Sequence, residues 1–254
     1  MIETIIPAVF IFIVGAAFGS FFNVCIYRIP IKESIIFPNS HCPSCNYKIK
    51  PWHNIPIFSY LLLKGRCSNC SAKIHWHYFL VELITPIAFV SIFLIYGFSL
   101  ITIKYILFTS FGIIIIFIDL FHKIIPDKLS LPLLFIGLLI SFYPGMDVNW
   151  KSSFIGSGAA FMFFLGIAYL FQLMTKRESL GGGDIKLIAA IGAFTGIPGV
   201  AFTIFFSSLL ALIILIPLGH DRQKEFPFGP FLVIGAFTFV FFGSKLFSLY
   251  LNLF

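Results

Sequence analysis

Ile101 to Asp119 reads ITIKYILFTSFGIIIIFID. Lys104 is the only charge in its first 18 positions, and roughly 20 largely apolar residues carry a helix across about 30 Å of hydrocarbon. The run therefore reads as a transmembrane helix, with Asp119 as a carboxylate at its end. An Asp at the centre of such a helix costs about 2.5–3.5 kcal/mol on insertion scales. Even near the end it calls for a partner or a chemical role.

Working outward, comparable runs place spans near 5–25, 79–97, 101–118, 129–143, 153–173, 185–198, 200–217 and 229–251. The expected fold is an all-α membrane protein of about eight transmembrane helices. Gly196-Ile197-Pro198-Gly199 interrupts one apolar stretch, which leaves a fused or re-entrant arrangement open there. Composition agrees: 59% of the 254 residues are hydrophobic and 11% charged, with a mean hydropathy of +1.02, which excludes a water-soluble domain. No basic region or small-residue cleavage site marks the first run as a signal peptide, so it reads as a retained helix. The 35 phenylalanines read as core and lipid contact.

The net charge of +7 is spread over short connectors and does not form the basic face that nucleic acid requires; no nucleic-acid partner is expected. Topology accounts for it instead. With the amino terminus outside, 14 of the 17 basic residues fall on inner connectors, among them Lys123, Lys176, Arg177, Arg222 and Lys224, and only Lys104, Lys151 and Lys245 lie on the other side. Both termini are then outside, and a reporter at Phe254 active only in the cytoplasm would contradict this.

One polar insertion separates the first two spans, giving a first transmembrane helix at 1–25, a cytoplasmic zinc-binding domain at 26–78 and a transmembrane core at 79–254. The insertion carries a net charge of +6 and four of the five cysteines. Some fifty residues bury little core unaided. Cys42-Pro43-Ser44-Cys45 and Cys67-Ser68-Asn69-Cys70 are two C-x2-C pairs separated by 21 residues. Two such turns close a tetrahedral thiolate shell around Zn2+, and a closed shell makes the metal structural. The rival reading is two disulfides, which a reducing cytoplasm disfavours. His41, His53, His75 and His77 are rival ligands by proximity in sequence, and Cys25 reads as a small buried hydrophobe.

A second carboxylate matches the first. Asp184 follows Gly181-Gly182-Gly183 and opens the sixth span, at the same inner side as Asp119. Two close carboxylates share one proton, so that one acts as base toward water while the other polarises a carbonyl. That is aspartyl-protease chemistry. The glycines would admit an extended peptide beside Asp184 and permit unusual backbone angles. Blander readings are an Asp119–Lys123 pair one turn apart, Asp184 as a helix N-cap, and Asp127 as the cap of the fourth span. No G-x4-G-K-[ST] phosphate loop is present.

These pieces resemble, in order and spacing, the prepilin peptidases, or type IV leader peptidases, of the G-x-G-D aspartyl protease group. The likeness rests on Gly19-Ser20-Phe21-Phe22-Asn23-Val24, Ile26-Tyr27-Arg28 with Pro30, the two C-x2-C pairs flanking Asn54-Ile55-Pro56, Leu80-Val81-Glu82-Leu83, Ile118-Asp119-Leu120, Ile125-Pro126-Asp127 and Gly181-Gly182-Gly183-Asp184. It implies Asp119 and Asp184 as the catalytic pair. The implied activity is cleavage of prepilin or pseudopilin leaders after a glycine at the cytoplasmic face of the bacterial inner membrane. It also implies methylation of the new amino terminus by S-adenosylmethionine, whose binding residues the sequence does not identify. His75-Trp76-His77-Tyr78-Phe79 stands where many members have Arg-Tyr-Pro, and Thr85-Pro86 replaces a small-residue stretch; both weaken the inference to methylation. Glu82 reads as ordering the insertion or touching the cofactor. Readings from other classes are a proton-coupled transporter, which expects carboxylates at the midplane and inverted repeats, and a non-catalytic scaffold. Gly15 and Gly19 form a G-x3-G surface for helix contact within or between chains, which leaves the oligomeric state open.

Overall fold

The computed structural model describes residues 2–176, 181–215, 217 and 226–251. Arg177, Arg222, Lys224, Phe254 and the Lys245 side chain lie outside the described residues. Within them the regular structure is helical: α1 (Ile2–Arg28), α2 (Phe58–Leu62), α3 (Trp76–Tyr96), α4 (Leu100–His122), α5 (Asp127–Ile140), α6 (Trp150–Thr175), α7 (Gly182–Leu215) and α8 (Gly229–Leu251). Among the described residues the only extended pairings are two isolated bridges, His41 with Lys48 and Arg66 with Lys73.

Helices α1, α3, α4, α6 and α7 are each long and apolar enough to cross a membrane. The chain is a multi-pass membrane protein. At 14 residues, α5 is about 21 Å long, short of a full crossing. The expected sixth and seventh spans fall within α7, which breaks at Gly196 (φ 67°, ψ −173°) with Pro198 two residues on. That φ lies in the left-handed region that glycine tolerates, and Pro198 lacks the N–H that would continue the ladder.

The break is a reversal. Before it, Gly183 lies against Ile125 and Ala193 and Phe194 against Gly137, so this half runs parallel to α5. Phe108 also touches both Phe194 and Phe237, at 5.1 and 5.6 Å between ring centroids. Beyond the break, Gly199 meets Phe239 and Thr203 meets Gly235. Later residues of α7 thus oppose earlier residues of α8, and the chain has turned back.

Two compact units divide the chain, Met1–Thr102 and Ile103–Phe254. In the first, α1 and α3 form an antiparallel hairpin. A Cβ on Gly15 would lie 2.7 Å from Pro86 Cα, and one on Gly19 2.9 Å from Glu82 Cα. The G-x3-G surface is therefore consumed within the chain, as small residues allow where lipid supplies no hydrophobic drive between helices. Buried Arg28 closes the start of the insertion by donating to the carbonyls of Ser34 (2.9 Å) and Pro38 (2.7 Å).

In the second unit, α6 and α7 cross through bare glycine. A Cβ on Gly156 would lie 2.7 Å from the Gly196 backbone, and one on Gly192 2.6 Å from the Gly156 carbonyl oxygen. Ser153 adds a buried hydroxyl bond to the Ala193 carbonyl at 2.7 Å. At the far end from Asp119, Lys104 is 1% exposed and pairs with Asp147 at 2.7 Å. Tyr105 donates its hydroxyl to the same carboxylate. The ion pair anchors the α5–α6 connection.

Candidate active site

The last turns of α4 carry Asp119 inward: Ile115 and Ile118 are fully buried and Asp119 itself is 5% exposed. Its Oδ2 accepts the Gly229 backbone N–H at 2.9 Å. Gly229 opens α8, so the carboxylate meets an N–H that the helix itself leaves unpaired. Lys123, one turn on, is exposed; it lies just past the end of α4 with φ +55°, and its backbone N–H closes the helix end by bonding the Asp119 carbonyl at 2.8 Å.

Gly229 is a site residue that sequence reasoning missed. A Cβ there would lie 2.7 Å from Asp119 Oδ2 and 3.0 Å from Ile125 Cδ1, so a side chain would push the carboxylate away. The available signal was a glycine between prolines, Pro227-Phe228-Gly229-Pro230, at the mouth of an apolar run.

Asp184 reaches the same place from α7. It sits inside the first turn, its N–H bonded to the Gly181 carbonyl at 3.0 Å, so it is not the N-cap. Its Oδ1 is buried, without a hydrogen-bond partner among the described residues. Asp119 is close enough to act on it electrostatically, and Ile125 touches both Gly183 beside Asp184 and Gly229 beside Asp119. The two carboxylates converge at one end of the unit, not at its midplane.

The three glycines serve this geometry by lacking side chains, for none of them adopts a left-handed φ. A Cβ on Gly183 would lie 2.8 Å from Ile125 Cβ, and one on Gly181 3.0 Å from Asp184 Oδ2, while Gly182 faces open space among the described residues. The unusual backbone angles expected from sequence are absent here and appear at Gly196. Asp127 is not a cap either: Pro126 takes that position, and Asp127 pairs with Lys186 at 2.6 Å, tying α5 to the turn that carries Asp184.

In the first unit, the Sγ atoms of Cys42, Cys45, Cys67 and Cys70 lie within 4.8 Å of one another, Cys42 and Cys70 at 3.9 Å. A tetrahedron with 2.3 Å metal–sulfur bonds has edges of about 3.8 Å, so the four fit one metal ion, and zinc is compatible with them. All the cysteines are free, and the four sulfurs gather as one group within 4.8 Å, which favours a metal over two disulfides. Two matching turns build the set: Cys42 and Cys67 donate backbone N–H bonds to Tyr47 and Ala72, and Asn46 and Ser71 turn the chain with positive φ. Backbone N–H groups of Cys70 and Asn69 hold the Cys67 thiol down to about 6, toward the thiolate that metals bind. Among the described residues no histidine joins the cluster.

Glu82 orders the insertion, one of its two expected roles. Its Oε2 accepts the Ile57 N–H at 2.7 Å, at a residue with φ +66°.

Comparison with known proteins joins these parts. A family model described as the bacterial peptidase A24 N-terminal domain matches residues 13–96, and one described as the type IV leader peptidase family matches 106–216. A prepilin leader peptidase/N-methyltransferase of Neisseria gonorrhoeae is 36% identical, the alignment covering 88% of this chain and 86% of that protein. The chain belongs to the type IV leader peptidase family. Proteins of the same description from Dichelobacter nodosus and Pseudomonas aeruginosa are each 32% identical, over 98% and 94% of the chain and 96% and 92% of the relative. No solved structure gives a significant match. As a member of this family the chain is an enzyme, a peptidase, and the transporter and scaffold readings find no support.

Proposed function

We propose that Asp119 and Asp184 are the catalytic pair with which this peptidase removes the leader of type IV prepilins or pseudopilins, after a glycine, at the cytoplasmic face of the bacterial inner membrane. The observation that carries this reading is the meeting of two carboxylates from α4 and α7, one held by Gly229 and the other with a buried oxygen free. The Asp119 carboxylate, fixed by the Gly229 N–H, polarises the scissile carbonyl when it carries the shared proton. Asp184, with its unpartnered oxygen, takes a proton from the attacking water. Open space at Gly182 leaves room for an extended peptide beside Asp184, so Gly181, Gly182 and Gly183 are assigned to substrate binding.

The domain at 26–78 holds a structural Zn2+ on Cys42, Cys45, Cys67 and Cys70; the ion supplies a cross-link and no chemistry. The positive-inside bias supports placing both this domain and the aspartate pair in the cytoplasm, with lipid around the remaining helices. The relatives' names support a second activity, methylation of the new amino terminus from S-adenosylmethionine.

Mass spectrometry of a prepilin incubated with purified enzyme, with and without S-adenosylmethionine, tests both activities. The expected products are a leaderless chain and, with the donor, the same chain one methyl group heavier. Asp119→Asn or Asp184→Asn, properly assembled in membranes, leaves the leader in place. Full cleavage by either variant contradicts the assignment.

A further inference from the structure

The α1–α3 hairpin contains a second polar cluster that leader cleavage does not use. Asn23 is 4% exposed. Its Nδ2 donates to the Tyr78 carbonyl at 3.0 Å, while its Oδ1 is buried with no hydrogen-bond partner among the described residues. Buried acceptors are normally paired, so this oxygen is aimed at a donor from elsewhere.

One helical turn away on the facing helix stands Glu82, four residues beyond Tyr78. It is the seventh residue of α3, about 9 Å inside the helix. A carboxylate in a membrane span reads as functional by default. The Ile57 N–H donates to it at 2.7 Å. Bare Gly19 brings the two backbones together there. Among the described residues no lysine or arginine is salt-bridged to Glu82.

The cluster thus offers one negative charge, with lone pairs to spare, and a neutral acceptor with nothing to accept. That set matches a monovalent cation bearing N–H donors. A divalent metal would call for more carboxylate, and an anion would find no donor to spare.

We infer that Asn23 and Glu82 bind the free α-ammonium group of the newly cleaved prepilin and prepare it for methylation. This rests on the N-methyltransferase part of the proposed function. Glu82 takes one proton from the ammonium, and Asn23 Oδ1 accepts a remaining N–H and aims the lone pair. The amine nitrogen then bonds to the methyl carbon of a sulfonium donor as the carbon–sulfur bond breaks. That electron pair stays on sulfur, which leaves as a neutral thioether, and the positive charge passes to the secondary ammonium. Glu82 releases its proton to water.

Two measurements test this on the full chain in nanodiscs, with wild type, Glu82→Gln and Asn23→Leu. Glutamine keeps an oxygen for the Ile57 N–H but cannot take the proton. In the prepilin assay the two variants remove the leader within about twofold of wild type. Methyl transfer falls about 100-fold in Glu82→Gln, the low end for a lost general base, and about 10-fold in Asn23→Leu. The second measurement needs no methyl donor: binding of a peptide with the mature prepilin's first residues, as free amine and as N-acetyl form. Wild type and Asp184→Asn favour the free amine, and Glu82→Gln loses that preference. Methylation within twofold of wild type in both variants overturns the inference. So does an equal fall of cleavage and methylation in both, which marks a purely structural role. A wild-type enzyme that cleaves but never methylates removes the N-methyltransferase reading, and this inference with it.

Discussion

The insertion and the aspartate-bearing unit reach order by opposite routes. Between Ile29 and His75 only Cys42, Ser59 and Gly65 are buried, so the insertion has almost no apolar core, and its four cysteines gather at one point. The second unit has no such cross-link. Its helices close on one another where side chains are missing, at Gly137, Gly156, Gly192 and Gly199. A region with little to bury is held by a few strong bonds, whereas helices in lipid are held by close fit over many weak ones. The two regions should therefore fail differently.

The largest effect falls on the insertion. Structural zinc contributes about 10–16 kcal/mol of apparent folding free energy in isolated zinc-finger peptides at neutral pH. Cys67→Ser, or chelation, should expose residues 39–75 to limited proteolysis while α4 to α8 stay protected. Cleavage spread over both regions would erase the contrast.

Next comes the ion pair at the far end of the second unit. Removing one partner of a buried pair costs about 3–5 kcal/mol, because the other charge is left behind. Asp147→Ala, which leaves the Lys104 ammonium unpaired on a side chain 2% exposed, should lower stability to denaturant in micelles by that amount, and Lys104→Met with Asp147→Leu should recover most of it. Gly192→Ala puts a methyl group 2.6 Å from a backbone oxygen that cannot rotate aside, for a loss of about 1–3 kcal/mol. A neutral Gly192→Ala would show that α6 and α7 are less tightly joined than their contacts indicate. The smallest effect belongs to Lys186→Ala, since its pair with Asp127 is solvent-facing, with side chains 33% and 57% exposed, and such pairs contribute about 0–1 kcal/mol. A larger loss would mean that the pair also positions the turn carrying Asp184.

The same contrast governs what the sequence discloses. The four cysteines sit in two short motifs, and a metal shell needs little more than their type and spacing. The apolar runs and the break at Gly196 were legible because hydropathy and a Gly-Ile-Pro-Gly step are local signals. The reversal at that break was legible only in outline, since it depends on which residues of α5 and α8 the two halves of α7 meet. Asp119 and Asp184 stood out as charges in apolar surroundings. Gly229 did not, because its role is a backbone N–H delivered across 110 positions, and nothing in its own side chain declares that. The pairing of Lys104 with Asp147 was not legible either, because only the fold brings together positions 43 residues apart.

The central claim is that Asp119 and Asp184 work as one device on one scissile bond. Its most direct test compares prepilin cleavage rates of Asp119→Asn, Asp184→Asn and the double variant, each matched for zinc content and membrane assembly. Residues acting as a unit lose nearly everything with the first change, so the double variant should be no slower than either single one within a few-fold. Losses that multiply, or a single variant that cleaves at the wild-type rate, would contradict the account.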